Sequence, residues 1–417
     1  MPSKAIVLAA GKGVRMKSDR AKVLHDAMGA PLIAHVLQAV REAGLADILV
    51  VVGHQADQVR SAAGEGVAFV DQPEQEGTGH ALLCCAEALR DFRGDLVVLA
   101  GDAPLVRPAT LRTMLEVHRK AGVEATFLSA EVSDARGYGR IVRDSNGRFL
   151  RIVEEVDASP AEKSIREINS GAFVFRAPKI FDALRDVGAR NAQNEYYLPD
   201  ALQGLSKVEV VKTEDPSEVL GVNSRRDLAI IAAILKRRIL ERHLDAGVSI
   251  LDAETTYIEE GVQIAPEAII HPFTVLRRGV VVGPGCHVGP FAHLRGETVL
   301  QEGAEVGNFV EVKQSKIGPA SKAKHLSYLG DATLGARVNI GAGTITANYD
   351  GKRKHPTVIE EGASTGSNTV LVAPVRLGKG AKTGAGAVVL KGEVEAGALV
   401  VGVPARPLVR KGKETAS

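Results

Sequence analysis

The chain has 417 residues, 45% of them hydrophobic and 24% charged, which is enough for two or three domains with sizeable cores. Its formal net charge is only +2 and no segment is a polybasic patch, which argues against a nucleic-acid-binding or membrane-surface protein. Three cysteines without metal-type spacing, no apolar leader and no eighteen-residue apolar run predict a cytoplasmic protein.

The first predicted element is a short strand that leads into a glycine-rich turn. Residues 5–8 form a continuous apolar run, which is typical of a strand buried on both faces of a parallel sheet. Gly11 and Gly13 follow, and glycines at such a turn let backbone N–H groups approach an anion. The stretch therefore predicts a loop that binds phosphate.

Strands and helices then alternate as far as residue 223. The runs 46–53, 95–105 and 171–176 predict strands, and 31–44 and 80–92 predict amphipathic helices. This alternation predicts a Rossmann-like, doubly wound α/β domain with its ligands at the carboxyl ends of the strands.

One long connecting helix is predicted over residues 223–247. It opens on a capping signal, Asn223 or Ser224 followed by Asp227, and it stops at Gly247. We expect residues 1–224 to form this α/β domain, 225–247 a helical arm, and 248–417 a second domain with a C-terminal tail, of which residues 411–417 are expected to be mobile.

The second domain has a period of six. Aliphatic residues recur at every sixth position from Ile258 to Val312, and after one shortened step the spacing resumes at Ile317 and again at Leu334, Ile359 and Leu377. Neither a helix nor an ordinary strand has this period, whereas each hexad of a left-handed parallel β-helix forms one side of a triangular coil. Ten consecutive matches make an accidental pattern improbable.

The opening loop has three interpretations. A dinucleotide-binding fingerprint needs a third glycine where Met16 stands, and a Walker loop needs Ser or Thr where Gly13 follows Lys12. There remains a G-x-G-x-x-R loop, ending on Arg15 with Lys22 nearby, that supplies donors and cations to a nucleoside triphosphate. A plain turn with surface charges is the alternative that the loop alone leaves open.

Polar residues further along favour a nucleotide site. Gln72, before the turn at Gly77 and Thr78, offers an amide suited to a pyrimidine edge. Asp102 ends a buried strand, where a carboxylate suits Mg²⁺ held together with substrate phosphates, although a turn aspartate is an alternative.

The motifs taken together resemble the bacterial N-acetylglucosamine-1-phosphate uridylyltransferase, which is also a glucosamine-1-phosphate acetyltransferase. The resemblance rests on "LAAGKGVRM", "EGTGHA", "GDAPL", "GYGRIVR", "INSGAF" and "GVNSRRDL" in the first half, and on "FAHLRGE", "VGNFVEVK", "HLSYLGDATLG" and "NIGAGTITANYDG" in the second. It covers nearly the whole chain in the order of the bifunctional enzyme.

The resemblance implies uridylyl transfer from UTP to N-acetylglucosamine-1-phosphate in the first half, with Arg15 and Lys22 as catalytic residues. UTP would be bound by Leu8, Ala9, Gly11, Gly13, Arg15, Lys22, Gln72, Gly77 and Thr78. The sugar-1-phosphate would be bound by Gly139, Glu154, Asn169 and Asn223, and Mg²⁺ by Asp102 and Asn223.

In the second half the resemblance implies acetyl transfer from acetyl-CoA to glucosamine-1-phosphate, with His325 as the base. A lone histidine is more often a filler, but this one lies within a matching motif. The sugar phosphate would be bound by Arg295, Lys313, Tyr328, Asn339 and Lys354, and acetyl-CoA by Asn348, Tyr349, Ser367 and Ala385. Glu311 is a candidate to orient His325, and the family forms trimers, so we expect a homotrimer.

Several positions depart from the family pattern. Val14, Ala21 and Val156 replace residues that are common there, and the β-helix is expected to be two coils shorter before "FAHLRGE". Gly402 stands where the family has a coenzyme-binding arginine, for which Arg406 is a candidate substitute.

Two rival functions remain. The first is another sugar-1-phosphate nucleotidyltransferase that uses the β-helix only for oligomerisation or regulation. The second is a non-enzymatic scaffold. His325 and the "TANYDGK" loop argue against the first rival, and the joint presence of Arg15, Lys22, Asp102 and Asn223 argues against the second.

Overall fold

The computed structural model describes residues 1–188 and 195–408 of the chain. It forms two compact units, Met1–Leu235 and Lys236–Ser417, and each is described by itself. The expected mobility of residues 411–417 lies outside the described residues.

The first unit is built on one mixed sheet. Its strands are β1 (Ser3–Leu8), β2 (Asp26–Ala27), β3 (Ala30–Pro31), β4 (Ile48–Val52), β5 (Ala68–Asp71), β6 (Asp95–Ala100), β7 (Ala125–Glu131), β8 (Arg140–Arg143), β9 (Phe149–Val153), β10 (Glu167–Arg176) and β11 (Val208–Lys212). The main sheet has the order β11-β7-β10-β6-β1-β4-β5, and the pair β2-β3 stands apart from it. All neighbours along this order are parallel except β10, which runs antiparallel to both β6 and β7.

The helices are α1 (Leu32–Glu42), α2 (Ala56–Ala63), α3 (Thr78–Leu83), α4 (Pro108–Ala121), α5 (Pro160–Lys163), α6 (Lys179–Arg185) and α7 (Arg225–Asp245), with 3₁₀ turns at Val14–Met16, Lys22–Leu24, Leu198–Gly204 and Pro216–Val219. The helix predicted over residues 80–92 is wrong beyond Leu83. From Cys85 onward, bonds of the i to i+3 type such as Cys85 N–H to Leu82 O at 3.0 Å interrupt the α-helical pattern and give a series of turns.

The core lies on both sides of this sheet. Alternate residues of β1 point to opposite faces, so Val7 packs in one apolar cluster with Leu99, while Ile6 packs in the other with Phe173. Burial on both faces explains the continuous apolar run in the sequence and leaves the strand ends for ligands.

The second unit is the predicted left-handed β-helix of stacked two- to four-residue strands. Its first face contains Ser249–Ile250, Ile269–Ile270, His287–Val288, Glu305–Asn308, Lys322–His325 and Asn339–Ile340; its second face contains Tyr257–Ile258, Val275–Leu276, His293–Arg295, Glu311–Lys313, Tyr328–Gly330, Ile345–Ala347, Val370–Val372 and Val388–Val389. The third face contains Gln263–Ile264, Val281–Val282, Val299–Leu300, Lys316–Ile317, Ala332–Leu334, Thr357–Ile359, Val375–Leu377 and Gly392–Val394, and three last strands are Lys382–Thr383, Leu399–Val401 and Arg406–Pro407.

The prediction from the period of six is confirmed, because the residues at these positions are buried from Ile258 to Val389. Where a threonine occupies such a position its hydroxyl is satisfied inside the coil. Thr365 Oγ1, for example, accepts from the Gly341 N–H at 2.9 Å. Every strand pair on the three faces is parallel, so each coil continues the ladder of the coil before it.

The long helix α7 begins where the sequence predicts. The backbone N–H groups of Asn223 and Ser224 donate to Asp227 Oδ2 at 3.0 and 2.8 Å, which satisfies donors that a helix start leaves open. Among the described residues, no helix combines the length and the apolar character that crossing a membrane requires.

Candidate functional site

A cleft of about 750 Å³ lies at the carboxyl ends of β1 and β6. The glycine-rich loop lines one side of it from Leu8 to Val14, and Gln72, Gly77 and Thr78 line another. The structure therefore brings together the residues predicted to bind UTP, apart from Arg15, which is exposed beside the cleft.

Gly13 is the glycine that this loop requires. Its φ of +67° is in the left-handed region, and a Cβ placed on it would lie 2.6 Å from the Cβ of Lys22. Any larger residue would push Lys22 away, so the loop and the lysine form one unit.

Cations and oxygen ligands converge at the edge of this cleft. The Lys22 ammonium contacts the Asp102 carboxylate directly and lies 3.5 Å from Asn223 Oδ1. The Arg15 guanidinium donates to the same Asn223 oxygen at 2.9 Å. Four residues from three separate parts of the sequence thus share one small volume, which favours a binding site over a plain surface turn.

The donor set at this point suits Mg²⁺. One carboxylate and one amide oxygen face a common cation, since the Lys22 ammonium lies against both and stands where a metal ion could. Mg²⁺ prefers one or two such protein oxygens and completes its shell with water and phosphate. The described residues contain no cluster of three or more His, Cys, Asp or Glu that would form a metal cage of protein ligands alone.

Gln72 lies at another part of the cleft and is only 3% exposed. Its amide nitrogen donates to the Gly77 carbonyl at 3.1 Å and lies 3.2 Å from His80 Nδ1. Thr78, also predicted to contact UTP, accepts from the Leu198 N–H at 3.1 Å through its hydroxyl and so ties the two loops together.

A second cavity of about 200 Å³ adjoins the first and shares Leu8, Thr78, Ala100 and Asp102 with it. Its walls include the four residues predicted to hold the sugar-1-phosphate, which are Gly139, Glu154, Asn169 and Asn223.

Gly139 allows Glu154 to approach closely, because a Cβ there would lie 3.0 Å from Glu154 Oε1. Asn169 N–H donates to the Gly139 carbonyl at 2.9 Å, which aligns the two strands.

Glu154 is the most perturbed acid of this cavity. Its pKa is raised to about 7, chiefly by burial and in smaller part by the negative charges of Asp200 and Asp157, while Arg140 opposes the rise. Near neutral pH the side chain therefore exists in both protonation states. It can donate as well as accept, which suits sugar hydroxyl and amide groups.

In the second unit a cluster of cations lies on the second face. Arg295 and Lys313 end neighbouring strands of that face, and the pKa of Lys313 is lowered by its hydrogen-bond contact with Lys354. Like charges held this close are typical of a site that binds an anion. This cluster contains three of the five predicted sugar-phosphate residues.

Tyr328 and Asn348 converge next to that cluster. A Cβ on Gly330 would lie 2.5 Å from the Tyr328 hydroxyl and 2.6 Å from Asn348 Nδ2, so the glycine leaves room for both. The loop that carries Asn348 and Tyr349 closes on itself through a bridge between Tyr349 and Lys354, and the Tyr349 side chain is 62% exposed.

His325 lies at the corner that follows the first face. Corner residues of successive coils are joined by backbone bonds, from Gly343 N–H to His325 O at 3.3 Å and from Gly386 N–H to Ser367 O at 2.7 Å. A bond of 2.7 Å from Asn368 N–H to Ala342 O joins the coils between them. His325, Ser367 and Ala385 therefore follow one corner, which brings the predicted base and two predicted coenzyme contacts into one row.

The pocket beside His325 is lined by histidines and charges and contains none of the predicted sugar-phosphate residues. It measures about 260 Å³ and includes His271, His287, Glu305 and Lys324. The rings of His271 and His287 lie 6.0 Å apart. Asn339 also belongs to the first face, opposite Lys322, so the structure separates it from the cluster of Arg295, Lys313 and Lys354.

The suggestion that Glu311 orients His325 stays a prediction. Glu311 Oε1 accepts from Arg295 Nε at 2.6 Å, and no hydrogen bond links it to His325 among the described residues. Arg295 competes for this carboxylate because the two residues occupy adjacent strands of the second face.

Arg406, the candidate substitute at the predicted coenzyme site, lies opposite Val401 in the last strand pair, and its role stays a prediction.

Sequence reasoning missed several residues that line these cavities. Tyr138 accepts from the Gly221 N–H at 3.3 Å and borders the second cavity, and His80 contacts Gln72. His271 and His287 border His325. The aligned coils would have indicated that the last pair lies on the first face near His325, because residues 269, 287, 305 and 322 occupy one register there. His271 follows this register by two positions and His325 by three.

The nucleotide cleft at the edge of a mostly parallel sheet, joined in one chain to a β-helix, defines a nucleotidyltransferase with a hexapeptide-repeat domain. Residues 5–167 match the MobA-like NTP transferase domain family. The Bifunctional protein GlmU of Syntrophomonas wolfei is 44% identical over 93% of this chain and 95% of its own. That of Pelotomaculum thermopropionicum is 47% identical over 89% of each chain. The chain belongs to the GlmU family of bifunctional proteins, and it is a transferase.

A solved structure of UDP-glucose pyrophosphorylase with UDP-glucose overlaps 57% of this chain and 100% of its own, at 19% identity and a TM-score of 0.48. That overlap is too loose to identify a ligand here.

Proposed function

We propose that the two units divide between them the two activities of the family. The chain is a bifunctional enzyme of UDP-N-acetylglucosamine synthesis, with acetyltransferase and uridylyltransferase activities. Residues 1–224 carry uridylyl transfer, 225–247 form the connecting arm, and 248–417 carry acetyl transfer. The convergence of Arg15, Lys22, Asp102 and Asn223 in one volume is the observation that carries the first assignment.

In the first unit the sugar-1-phosphate oxygen attacks the α-phosphorus of UTP, and pyrophosphate leaves. The protein positions the two reactants and neutralises the negative charge of the phosphates. The backbone of the loop from Gly11 to Gly13 holds phosphate oxygens, and Lys22 and Arg15 neutralise them. Lys22 lies against Asp102 in the structure, so a triphosphate competes with that carboxylate for the ammonium.

Asp102 and Asn223 would hold Mg²⁺, which when bound supplies further neutralisation of the phosphates. Gln72 contacts the base, and the adjoining cavity receives the sugar. Since the two cavities share Asp102 and Thr78, the two reactants meet at the wall between them. The sugar hydroxyl and amide groups pair with Glu154 and Asn169.

In the second unit His325 accepts a proton from the amine of glucosamine-1-phosphate as the amine nitrogen attacks the thioester carbonyl of acetyl-CoA. The C–S bond then breaks and free coenzyme A leaves as the thiol. The coenzyme lies along the corner that contains Ser367 and Ala385, with Asn348 and Tyr349 close to it. The sugar phosphate binds to Arg295, Lys313 and Lys354.

A neighbouring copy completes this second site. His325 belongs to the first face and the cluster of Arg295, Lys313 and Lys354 to the second, and the pocket beside His325 includes none of these three residues. A homotrimer, in which the first-face corner of one copy lies against the second face of the next, supplies both halves. We also place the enzyme in the cytoplasm.

Two single substitutions test the division. Lys22→Ala is expected to lower uridylyl transfer at least a hundredfold while acetyl transfer stays within about twofold, since electrostatic stabilisation of phosphoryl transfer is of that size. His325→Ala is expected to do the reverse. Two assays are run on the same preparations: pyrophosphate release reports uridylyl transfer, and thiol release from acetyl-CoA reports acetyl transfer. Wild-type protein that releases pyrophosphate but no thiol would support the rival in which the β-helix is only an oligomerisation module.

A further inference from the structure

We propose that His80 is a positioning residue that fixes the side-chain amide of Gln72 as a hydrogen-bond acceptor and so selects uracil over cytosine. The inference rests on the proposed uridylyl transfer, and it goes beyond it by naming what sets base selectivity. His80 lies in α3, the short helix that follows the turn at Gly77.

Gln72 has both amide hydrogens occupied by the protein. Its Nε2 donates to the Gly77 carbonyl at 3.1 Å and to His80 Nδ1 at 3.2 Å. An amide nitrogen has two hydrogens, so these two acceptors saturate it. Within residues 1–188 and 195–408, no hydrogen bond reaches Gln72 Oε1. This oxygen is also not sealed inside the protein, so a ligand in the cleft can donate to it.

The backbone of Gln72 is equally fixed. Its N–H donates to the Val52 carbonyl at 2.7 Å and its carbonyl accepts from Gln75 Nε2 at 3.2 Å. The backbone hydrogen bonds therefore hold the Gln72 side chain at a fixed place on the cleft wall. Its Oε1 and Nε2 atoms could exchange places only by rotation of the terminal amide group. The bonds to Gly77 and His80 oppose that rotation.

His80 can accept from Gln72 only when Nδ1 has no proton. Nδ1 also lies 3.1 Å from the Glu74 carbonyl and 3.7 Å from Glu76 Oε2, to either of which a protonated Nδ1 would donate. The other ring nitrogen lies 3.7 Å from Cys84 Sγ, which can receive a hydrogen on Nε2. Burial raises the pKa of the Cys84 thiol, so Cys84 is a neutral neighbour. The Gln72 contact requires the tautomer with its hydrogen on Nε2, and the Cys84 sulfur can receive that hydrogen.

An amide that can only accept distinguishes the two pyrimidines. Uracil has an N–H at ring position 3, which donates to Gln72 Oε1, whereas cytosine has a lone pair there, which repels it. The triphosphate loop fixes the far end of the nucleotide, so cytosine cannot shift sideways to offer its amino group instead. Without His80 the amide gains freedom to turn and present its NH₂ group, which tolerates cytosine.

The experiment compares three substitutions of His80 in the full chain. His80→Asn places an amide oxygen close to the position of the histidine Nδ1. His80→Gln places its amide close to the position of the histidine Nε2, and His80→Leu has no hydrogen-bond acceptor. The ratio of kcat/KM for UTP to that for CTP is measured together with the melting temperature. His80→Leu and His80→Gln are expected to lower this ratio about tenfold, the effect of a single well-placed hydrogen bond, whereas His80→Asn retains it within about threefold.

The lower kcat/KM for UTP is expected to come mainly from a higher KM, because the base is remote from the reacting phosphorus. A ratio that is unchanged in His80→Leu, or equally reduced in His80→Asn and His80→Leu with similar melting temperatures, would overturn the inference. These outcomes leave uridylyl transfer itself standing. A wild-type protein that uses neither nucleotide would instead overturn the proposed function.

Discussion

The guanidinium of Arg15 donates a 2.9 Å hydrogen bond to the side-chain oxygen of Asn223, although the two residues lie 208 positions apart. The same oxygen lies 3.5 Å from the Lys22 ammonium, which contacts Asp102. The loop after β1, the end of β6 and the start of α7 are thereby joined through side chains at one point. Removal of either oxygen ligand should weaken the binding of a cation at this point.

Asp102→Asn removes the carboxylate that contacts Lys22 at that point and is expected to raise the Mg²⁺ concentration for half-maximal uridylyl transfer at least tenfold, because a neutral amide attracts a divalent cation less than a carboxylate does. Binding of Mn²⁺, followed by electron paramagnetic resonance, gives a readout that does not depend on turnover. Glu116→Gln, an exposed residue of α4, is the matched control. Unaltered Mn²⁺ affinity in Asp102→Asn would exclude Asp102 as a ligand.

The raised pKa of Glu154 gives the first unit a specific pH dependence of stability. The unfolded chain releases this proton near its ordinary pKa of 4.5, whereas the folded protein retains it up to about 7. Between these values the folded state binds more protons, so the free energy of unfolding falls as pH rises from about 4.5 to 7. Burial of the charged form is the cause.

Glu154→Gln lacks the titrating group and should lack that fall. The difference in unfolding free energy between wild type and Glu154→Gln is expected to change by up to ~3 kcal/mol from about pH 4.5 to pH 8, in the direction that favours the variant at high pH. Thermal unfolding at both pH values measures it. Parallel pH profiles of the two proteins would show that Glu154 titrates at its ordinary pKa.

The inward residues of the β-helix should control the stability of the second unit alone. Leu329 is fully buried, so Leu329→Ala removes packed apolar atoms at a cost of about 2–5 kcal/mol. Ile345 lies in the neighbouring strand of the second face but is 36% exposed, and Ile345→Ala should cost less than about 1 kcal/mol.

Heat inactivation separates the two units in one experiment. The temperature at which acetyl transfer is lost should fall in Leu329→Ala, while that for uridylyl transfer is unchanged and both are unchanged in Ile345→Ala. Equal losses of the two activities in Leu329→Ala would mean that the units do not unfold independently.

Features with local causes could be predicted from the sequence, whereas features set by three-dimensional register could not. The period of six fixes which residues point inward, and the spacing from Ile258 onward therefore predicted the β-helix core. The glycine-rich turn after β1 is likewise local. In contrast, the partner of Glu311 depends on which strand lies beside it, and Arg295 occupies that place. The contact of His80 with Gln72 depends on how a turn folds back, which no spacing rule encodes.

The separation of His325 from Arg295, Lys313 and Lys354 leads to the sharpest test of the trimer. His325→Ala and Lys313→Ala should each abolish most acetyl transfer. If every site takes its histidine from one copy and its lysine from the next, random mixing of the two variants in equal amounts restores about one quarter of the wild-type sites, because each residue is intact half of the time. The mixture is made by joint unfolding and refolding, and thiol release is measured. If both residues of a site came from the same copy, no mixture would contain an intact site and activity would stay at the level of the single variants. Light scattering on the same samples reports the mass, and an active monomer would contradict the shared site directly.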